Sequence, residues 1–255
     1  MTPAGPPRVR LDRLLVERGL VESRARAESL ILAGRVHVRG RERPKPGMLV
    51  SADAELAVAG PPHPWVSRGG VKLAAALDAF GIDPAGRVCL DVGASTGGFT
   101  DVLLSRGARR VYAVDVGFGQ LHARLRDDPR VVLRERVNAR YLSAGEVPEP
   151  VEVAVMDVSF ISATLVLPAV APLLQDGAWV VVLVKPQFEA ARGEVGRGGI
   201  VRDPAVRGRA LARVVAACVA LGLVPSGTVD SPITGADGNV ECLAGFRRIP
   251  AKLPG

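Results

Sequence analysis

The stretch Val88-Cys89-Leu90-Asp91-Val92-Gly93-Ala94-Ser95-Thr96-Gly97-Gly98-Phe99-Thr100 decides how this chain is read. An apolar run ends at Asp91, breaks into a glycine-rich turn, and enters an amphipathic segment from Phe99 to Gly107. That order predicts a strand, a turn and a helix, with bare backbone open to a ligand at the carboxyl edge of a parallel sheet. A dinucleotide fingerprint would put glycine at 93, 95 and 98, but position 95 is Ser95. The turn therefore suits a pyrophosphate poorly and a nucleoside without phosphates better. A second strand, Arg110 to Val114, ends in Asp115. Asp115 stands 24 residues after Asp91, near the spacing at which an acid accepts hydrogen bonds from both ribose hydroxyls of an adenosine.

Outward from this point the chain alternates. Strands are expected at 88–93, 110–115, 131–134, 152–157 and 178–184, with two more near 223–230 and 240–247. Five strand-helix units and a final strand pair predict an α/β fold: a doubly wound, Rossmann-like sheet of seven strands with an antiparallel strand added at its end. A helix from Ser67 onward precedes the first strand. Candidate ligand residues are Asp91, Gly93, Ser95, Thr96, Gly97, Gly98 and Phe99 around the turn. Asp115, Gly117 and Gln120 follow the second strand, and Asn138 follows the third, where it caps a turn or lies beside a base.

Residues 8–60 read as a separate small α+β unit. Leu11, Leu14 and Leu15 share one helical face that stops at Gly19. Ser23 caps a second helix with Ala27, Leu30 and Ile31 as its apolar stripe and Gly34 as its stop. Val36 and Val38 alternate with His37 and Arg39 in a short strand, and a closing strand spans Ala54 to Val58. Arg24, Arg26, Arg35, Arg39, Arg41, Arg43 and Lys45 cluster on the second helix and the loop beyond it, the footprint of a nucleic-acid-facing surface. A stiff, proline-rich linker, residues 61–67, leads to the larger unit, residues 68–248. Trp65 in it either packs the linker down or stacks on a base.

A net charge of +7 favours a polyanionic partner, RNA or DNA before an acidic membrane. Cys89, Cys218 and Cys242 are scattered in apolar stretches, as buried free thiols of a reducing compartment are. His37, His63 and His122 are equally dispersed, so no protein-bound metal is expected. The opening, Met1 to Pro7, lacks the apolar run of a secretory leader. Leu165 to Leu174 and Ala178 to Val184 fall short of the ~20 residues of a membrane helix. Ala210 to Val224 carries Arg213 and reads as one amphipathic helix. These features predict a cytoplasmic protein with no membrane partner. No long apolar stripe is left over to demand a dimer, so a monomer is expected.

Asp157 ends the fourth strand and Lys185 the fifth, and both leave the edge that holds the glycine turn. Glu241 begins the last strand, and an antiparallel course brings it to the same edge. Lys72 lies on the helix before the first strand and reaches over the opening. Of 33 basic residues only Lys45, Lys72, Lys185 and Lys252 are lysine. Lysine gives up a proton when buried or crowded, and arginine does not. A plain ion pair at the strand ends is the structural alternative for Asp157 and Lys185.

Leu11-Asp12-Arg13-Leu14-Leu15, Ser23-Arg24-Ala25-Arg26-Ala27 and Gly34-Arg35-Val36-His37-Val38-Arg39-Gly40 resemble the RNA-binding domain first seen in the fourth small-subunit ribosomal protein. Arg39 stands where that family often has asparagine. Lys72, Asp157, Lys185 and Glu241, with Ser67-Arg68-Gly69-Gly70-Val71-Lys72-Leu73, resemble the Lys-Asp-Lys-Glu tetrad of FtsJ-type RNA ribose 2'-O-methyltransferases. The motif order from about residue 8 to residue 248 resembles the TlyA, or haemolysin A, family. The resemblance implies S-adenosylmethionine as methyl donor and cytidine ribose in small- and large-subunit ribosomal RNA, free or in ribosomal subunits, as acceptor. It implies Lys72, Asp157, Lys185 and Glu241 as catalytic, and Arg68 joins the RNA-binding candidates. In this reading Lys185 is the base, with Lys72 and desolvation favouring its neutral form. Asp157 holds its amine, and Glu241 orients Lys72 or the ribose. The loop from Pro186 to Asp203, with Arg192, Arg197 and Arg202, is a lid or an ordinary mobile loop.

A non-catalytic RNA-binding assembly factor would share the fold, but here all four tetrad positions are filled. A pore-forming lysin would need membrane helices or the ten-residue alternating strands of a barrel, and the sequence has neither. A 2'-hydroxyl acceptor excludes DNA.

Overall fold

A computed structural model of the chain describes residues 7–21, 23–32, 34–40, 44–59, 63–235 and 237–249. The chain divides into two compact units between Pro64 and Trp65.

The first unit runs β1 (Arg8–Arg10), α1 (Leu11–Glu17), α2 (Arg24–Leu32), β2 (Val36–Val38), β3 (Leu49–Ser51) and β4 (Leu56–Val58). β1 pairs with β3 and β2 with β4, both antiparallel. Leu11, Leu14 and Leu15 from α1 meet Ala27 and Ile31 from α2 in a core closed by Val36, Val38 and Val50. The sequence reading found both helices and the β2–β4 ladder. It missed β1 and β3, because each turns a single valine, Val9 or Val50, toward the core and so shows no apolar repeat to detect.

The second unit opens with α3 (Gly69–Phe80), followed by β5 (Val88–Val92), α4 (Gly98–Ser105), β6 (Arg110–Val114), α5 (Ala123–Arg126) and β7 (Val131–Arg134). β8 (Val151–Met156), α6 (Leu167–Val170), β9 (Leu174–Val184), α7 (Pro186–Glu189), α8 (Pro204–Ala220), β10 (Leu223–Asp230) and β11 (Cys242–Arg248) complete it. Seven strands form one sheet in the order β10-β11-β9-β8-β5-β6-β7. β9, β8, β5, β6 and β7 are parallel, and β11 lies antiparallel to both β9 and β10. Leu223 and Val224, read as the end of a long helix, belong instead to β10, because the helix stops at Ala220 and Gly222 turns the chain.

Both faces of the sheet are covered, as a parallel sheet requires. Val180, Val182 and Val184 of β9 face the cluster that holds Leu167, Val214 and Cys218 from α6 and α8. Val181 and Leu183, one residue out of phase, face Leu73 and Leu77 of α3 and Val102 and Leu103 of α4. Each such aliphatic side chain contributes about 1.5–3 kcal/mol by leaving water. Trp65 packs against the second cluster, and a side chain at Gly70 would meet its ring at 2.7 Å. Packing, the first of the two roles read for this tryptophan, is what the fold contains. Among the described residues no helix is long and apolar enough to cross a membrane.

Candidate active site

The site is built at the carboxyl edge of β5, β8 and β9. β5 ends in Val92, and Gly93 turns the chain at φ +88°, a region that L side chains rarely enter. A side chain at Gly93 would also collide with the carbonyl of Asp157, so the turn and the end of β8 are in backbone contact. Gly98 opens α4 under the same constraint, since a Cβ there would strike Ser67 Oγ. Ser95 takes φ +48° without being glycine. Its N–H donates to Asp115 Oδ2 at 2.7 Å, and the N–H of Gly117 donates to Asp115 Oδ1 at 2.7 Å. Asp115 thus ties the turns after β5 and β6 together, with one lone pair on each oxygen still available to a ligand. Ser95 Oγ donates to Gln120 Oε1 at 3.3 Å.

Asp91 lies beneath this turn. It is fully buried, Thr100 Oγ1 donates to its Oδ2 at 2.7 Å, and its Oδ1 has no hydrogen-bond partner among the described residues. Burial pushes the Asp91 carboxyl up to about 7; the Thr100 bond opposes the shift and the Asp157 charge adds to it.

Two cavities open at this edge. One, of about 560 Å³, is lined by Lys72, Asp157, Lys185 and Glu241 together with Gly93, Ser95, Thr96, Gly98, Phe99 and Arg68. The other, of about 440 Å³, is lined by Asp115, Val116, Gln120 and Asn138. Gly93, Ser95, Asp157, Ser159 and Phe160 belong to both walls, so the cavities adjoin. Asp91, Gly97 and Gly117 line neither. Gly97 and Asp91 are buried under the turn, and Gly117 acts through its N–H on Asp115. Asn138 caps a short 3-10 turn by accepting from the N–H of Arg140 at 3.1 Å while still facing the smaller cavity.

The four polar residues form two ion pairs of different character. Lys72 Nζ donates to Glu241 Oε2, and the two side chains are only 7% and 2% exposed. Lys185 Nζ lies 2.5 Å from Asp157 Oδ1 at 12% and 23% exposure. It also donates to Ser159 Oγ at 2.7 Å. The charge of Lys72 is therefore met by Glu241 and does not act uncompensated on Lys185. A buried pair gains little net stability but fixes geometry, since loss of either partner strands a charge. The pair at the cavity wall is open to a ligand.

Sequence reasoning had no signal for Ser159, for Glu189, or for Asn239. Glu189 is buried and accepts from Ser162 Oγ and the N–H of Ala163. Asn239 accepts from Val201 N–H at 2.9 Å and donates to the carbonyl of Gly199 at 2.9 Å. It pins the C-terminal end of the glycine-rich loop between Pro186 and Asp203.

In the first unit Asp12 is fully buried and accepts from Arg10, Arg24 and the N–H of Arg13. Arg39 pairs with Glu55 at 2.7 Å, and Arg35 donates to the carbonyl of Ala59 at 3.0 Å. Arg26 and Lys45 are exposed. Arg41 and Arg43 lie outside the described residues. Arg68, in the second unit, donates to the carbonyl of Thr234.

Comparison with known proteins follows the same division. The FtsJ-like methyltransferase family matches residues 65–248, and the S4 domain matches residues 9–56. The 16S/23S rRNA (cytidine-2'-O)-methyltransferase TlyA of Mycobacterium tuberculosis is 50% identical over 241 residues, 94% of this chain and 90% of that protein. Hemolysin A of Brachyspira hyodysenteriae is 42% identical over 93% of this chain and 99% of its own length. A solved structure from Streptococcus thermophilus that carries the hemolysin name superposes with a TM-score of 0.75 at 43% identity, covering 96% of this chain and 90% of the other. With the tetrad and glycine turn at one sheet edge and relatives this similar over nearly the whole length, the chain belongs to the TlyA family of FtsJ-like methyltransferases.

Proposed function

We propose that this protein transfers a methyl group from S-adenosylmethionine to the ribose 2'-hydroxyl of cytidine in ribosomal RNA of the small subunit, the large subunit or both. The observation that carries the reading is the convergence of Lys72, Asp157, Lys185 and Glu241 on one cavity that adjoins the nucleoside-sized cavity of Asp115.

The residues present fit the methyl donor. The glycine cradle at Gly93 and Gly98 leaves no room for side chains, and Asp115 keeps acceptor capacity for ribose hydroxyls. Gln120 and Asn138 would flank the nucleoside, and Ser95, Thr96 and Phe99 the methionine end. Bound S-adenosylmethionine supplies a sulfonium methyl: the acceptor oxygen's electron pair takes the methyl carbon, and the carbon–sulfur pair stays on sulfur. A ribose hydroxyl is a weak nucleophile at neutral pH, so its proton must leave as the new bond forms. Lys185 Nζ takes that proton as the neutral amine, after the ammonium of its ion pair with Asp157 has released one proton. Asp157 holds the amine and stabilises the ammonium that results. Lys72 and Glu241, locked together, form the rigid wall that orients the ribose. Alignment supplies roughly 7–11 kcal/mol of the barrier reduction.

The unit at 8–60 is the RNA-gripping element and the unit at 68–248 the transferase. A ribosomal RNA substrate places the protein's work in the cytoplasm. The reading is tested by methyl transfer from labelled S-adenosylmethionine to ribosomal subunits lacking the modification, followed by nucleoside analysis. Labelled 2'-O-methylcytidine that disappears in Lys185→Ala, with cofactor affinity kept within a few-fold, is the expected result. Tight RNA binding without transfer to either subunit would favour an assembly factor, and turnover retained in Lys185→Ala would remove Lys185 as the base.

A further inference from the structure

Lys185 Nζ touches two acceptors, not one. Asp157 Oδ1 lies at 2.5 Å, and Ser159 Oγ accepts at 2.7 Å. Both acceptors come from alternate positions of the segment that leaves β8, and all three residues line the larger cavity. Only the contact with Ser159 Oγ is a hydrogen bond: Asp157 Oδ1 pairs with the ammonium by charge and has no hydrogen-bond partner among the described residues. Ser159 therefore sets how the N–H groups of the ammonium, or the lone pair of the amine, are turned about Cε–Nζ.

We infer that Ser159 is a positioning residue for methyl transfer: it takes an N–H of Lys185 in a directed bond, so that the lone pair of the amine is turned toward the acceptor hydroxyl. The ion pair with Asp157 alone holds the nitrogen in place but does not fix rotation about Cε–Nζ, and the lone pair would share its time among several directions. The inference rests on the reading of Lys185 as the base. In the step it serves, the 2'-O–H bond breaks, its proton passes to Nζ, and the oxygen's electron pair forms the bond to the methyl carbon.

The surrounding structure fixes Ser159 in place. Phe160, directly after it, takes φ +64°, a left-handed conformation that is strained for an aromatic residue and persists only where neighbours impose it. Beyond it, Ser162 Oγ and the N–H of Ala163, the latter at 2.7 Å, donate to the carboxylate of Glu189. Glu189 is buried and sits on α7, the turn that directly follows Lys185. The segment that carries Ser159 and the segment that carries Lys185 are thus clamped by a buried carboxylate, independently of the bond at the active site. Phe160 and Phe188 add a tilted ring contact with centroids 5.4 Å apart across the same two segments.

The test uses the full-length protein with undermethylated ribosomal subunits and labelled S-adenosylmethionine. Ser159→Ala should lower kcat by about tenfold to a hundredfold, the scale of a small misplacement of a reacting group. KM for subunits and cofactor affinity by calorimetry should stay within about twofold. Ser159→Thr, which keeps the acceptor, should recover most of the turnover, and Ser159→Cys, a weak acceptor, should fall between. Wild-type kcat in Ser159→Ala would overturn the inference. So would a raised KM at unchanged kcat, or a threonine variant as slow as the alanine one. Ser159 is exposed, so folding should survive, and the threonine and cysteine variants carry the test if the alanine variant does not fold. Lys185→Ala separates the two claims. Turnover retained there removes the base and this inference with it, whereas a dead Lys185→Ala beside a fully active Ser159→Ala removes only the role of Ser159.

Discussion

Val184 of β9 stands opposite Cys242 of β11 in an antiparallel ladder, which brings Lys185, the residue after one strand, beside Glu241, the residue before the other. Residues 56 positions apart in the chain thereby leave one sheet edge side by side. The parallel pairing of β5 with β8 sets Val92 against Met156, and so brings Gly93 beside Asp157. The active-site edge is the product of these two registers. A slip of one residue in either would turn a functional side chain to the opposite face of the sheet.

The Lys72–Glu241 pair is buried enough that its loss is felt in stability as well as in turnover. Glu241→Gln leaves an ammonium without its counter-ion and should lower unfolding free energy by about 3–5 kcal/mol. Replacing both partners, Lys72→Met with Glu241→Leu, should restore much of that loss while transfer stays absent. Urea unfolding of the two variants beside the native protein measures it, and an unchanged midpoint in Glu241→Gln would mean the pair is solvated.

Asp91 makes stability depend on pH with a defined sign. Its folded carboxyl is raised from 3.8 to about 7, so the fold prefers the neutral form. Its stabilising contribution is complete below pH 4 and is lost as pH rises through about 7, by up to about 4 kcal/mol. Asp91→Asn should therefore remove this dependence: the stability of the native protein minus that of the variant should fall between pH 4 and 7. A difference that is constant over this window would show that Asp91 is not desolvated.

Asp12 has the opposite sign. The Arg10 hydrogen bond foremost, with Arg24 and the Arg13 N–H, holds its carboxyl well below the usual carboxylate range. Stability from this group is present above the ordinary aspartate value and is lost as pH falls towards the folded one. Asp12→Asn should cost the N-terminal unit about 1–3 kcal/mol at neutral pH, because the half-exposed Arg10 and Arg24 and the Arg13 N–H lose a charged acceptor. Hydrogen exchange in α1 and α2 reads this locally, and unchanged protection there would count against it.

Arg26 and Lys45 are exposed on the N-terminal unit. If they bind phosphates, replacing both with alanine should weaken RNA binding equally for unrelated sequences. The slope of log affinity against log salt should fall by about 0.7–0.9 for each phosphate left unneutralised. Binding titrations over a salt series decide the matter, and an unchanged slope would remove this face from the RNA-binding surface.

What the sequence by itself determined is whatever repeats or punctuates over a few residues. Apolar runs bounded by turns located the seven strands, and the lone serine at Ser95 in a glycine-rich turn pointed away from pyrophosphate. The charged residues that end apolar runs, Asp157 and Lys185, marked the sheet edge because a strand's last residue leaves the core. β1 and β3, with a single inward valine each, have no repeat to read and went unseen. Only the tertiary structure decided the rest, because it depends on register and burial between distant segments. An aspartate after a strand can face a cavity or the interior, and Asp157 and Asp91 take one course each. Which acid meets which lysine, and that Ser159 completes the shell of Lys185, follow from strand pairings that no local pattern encodes.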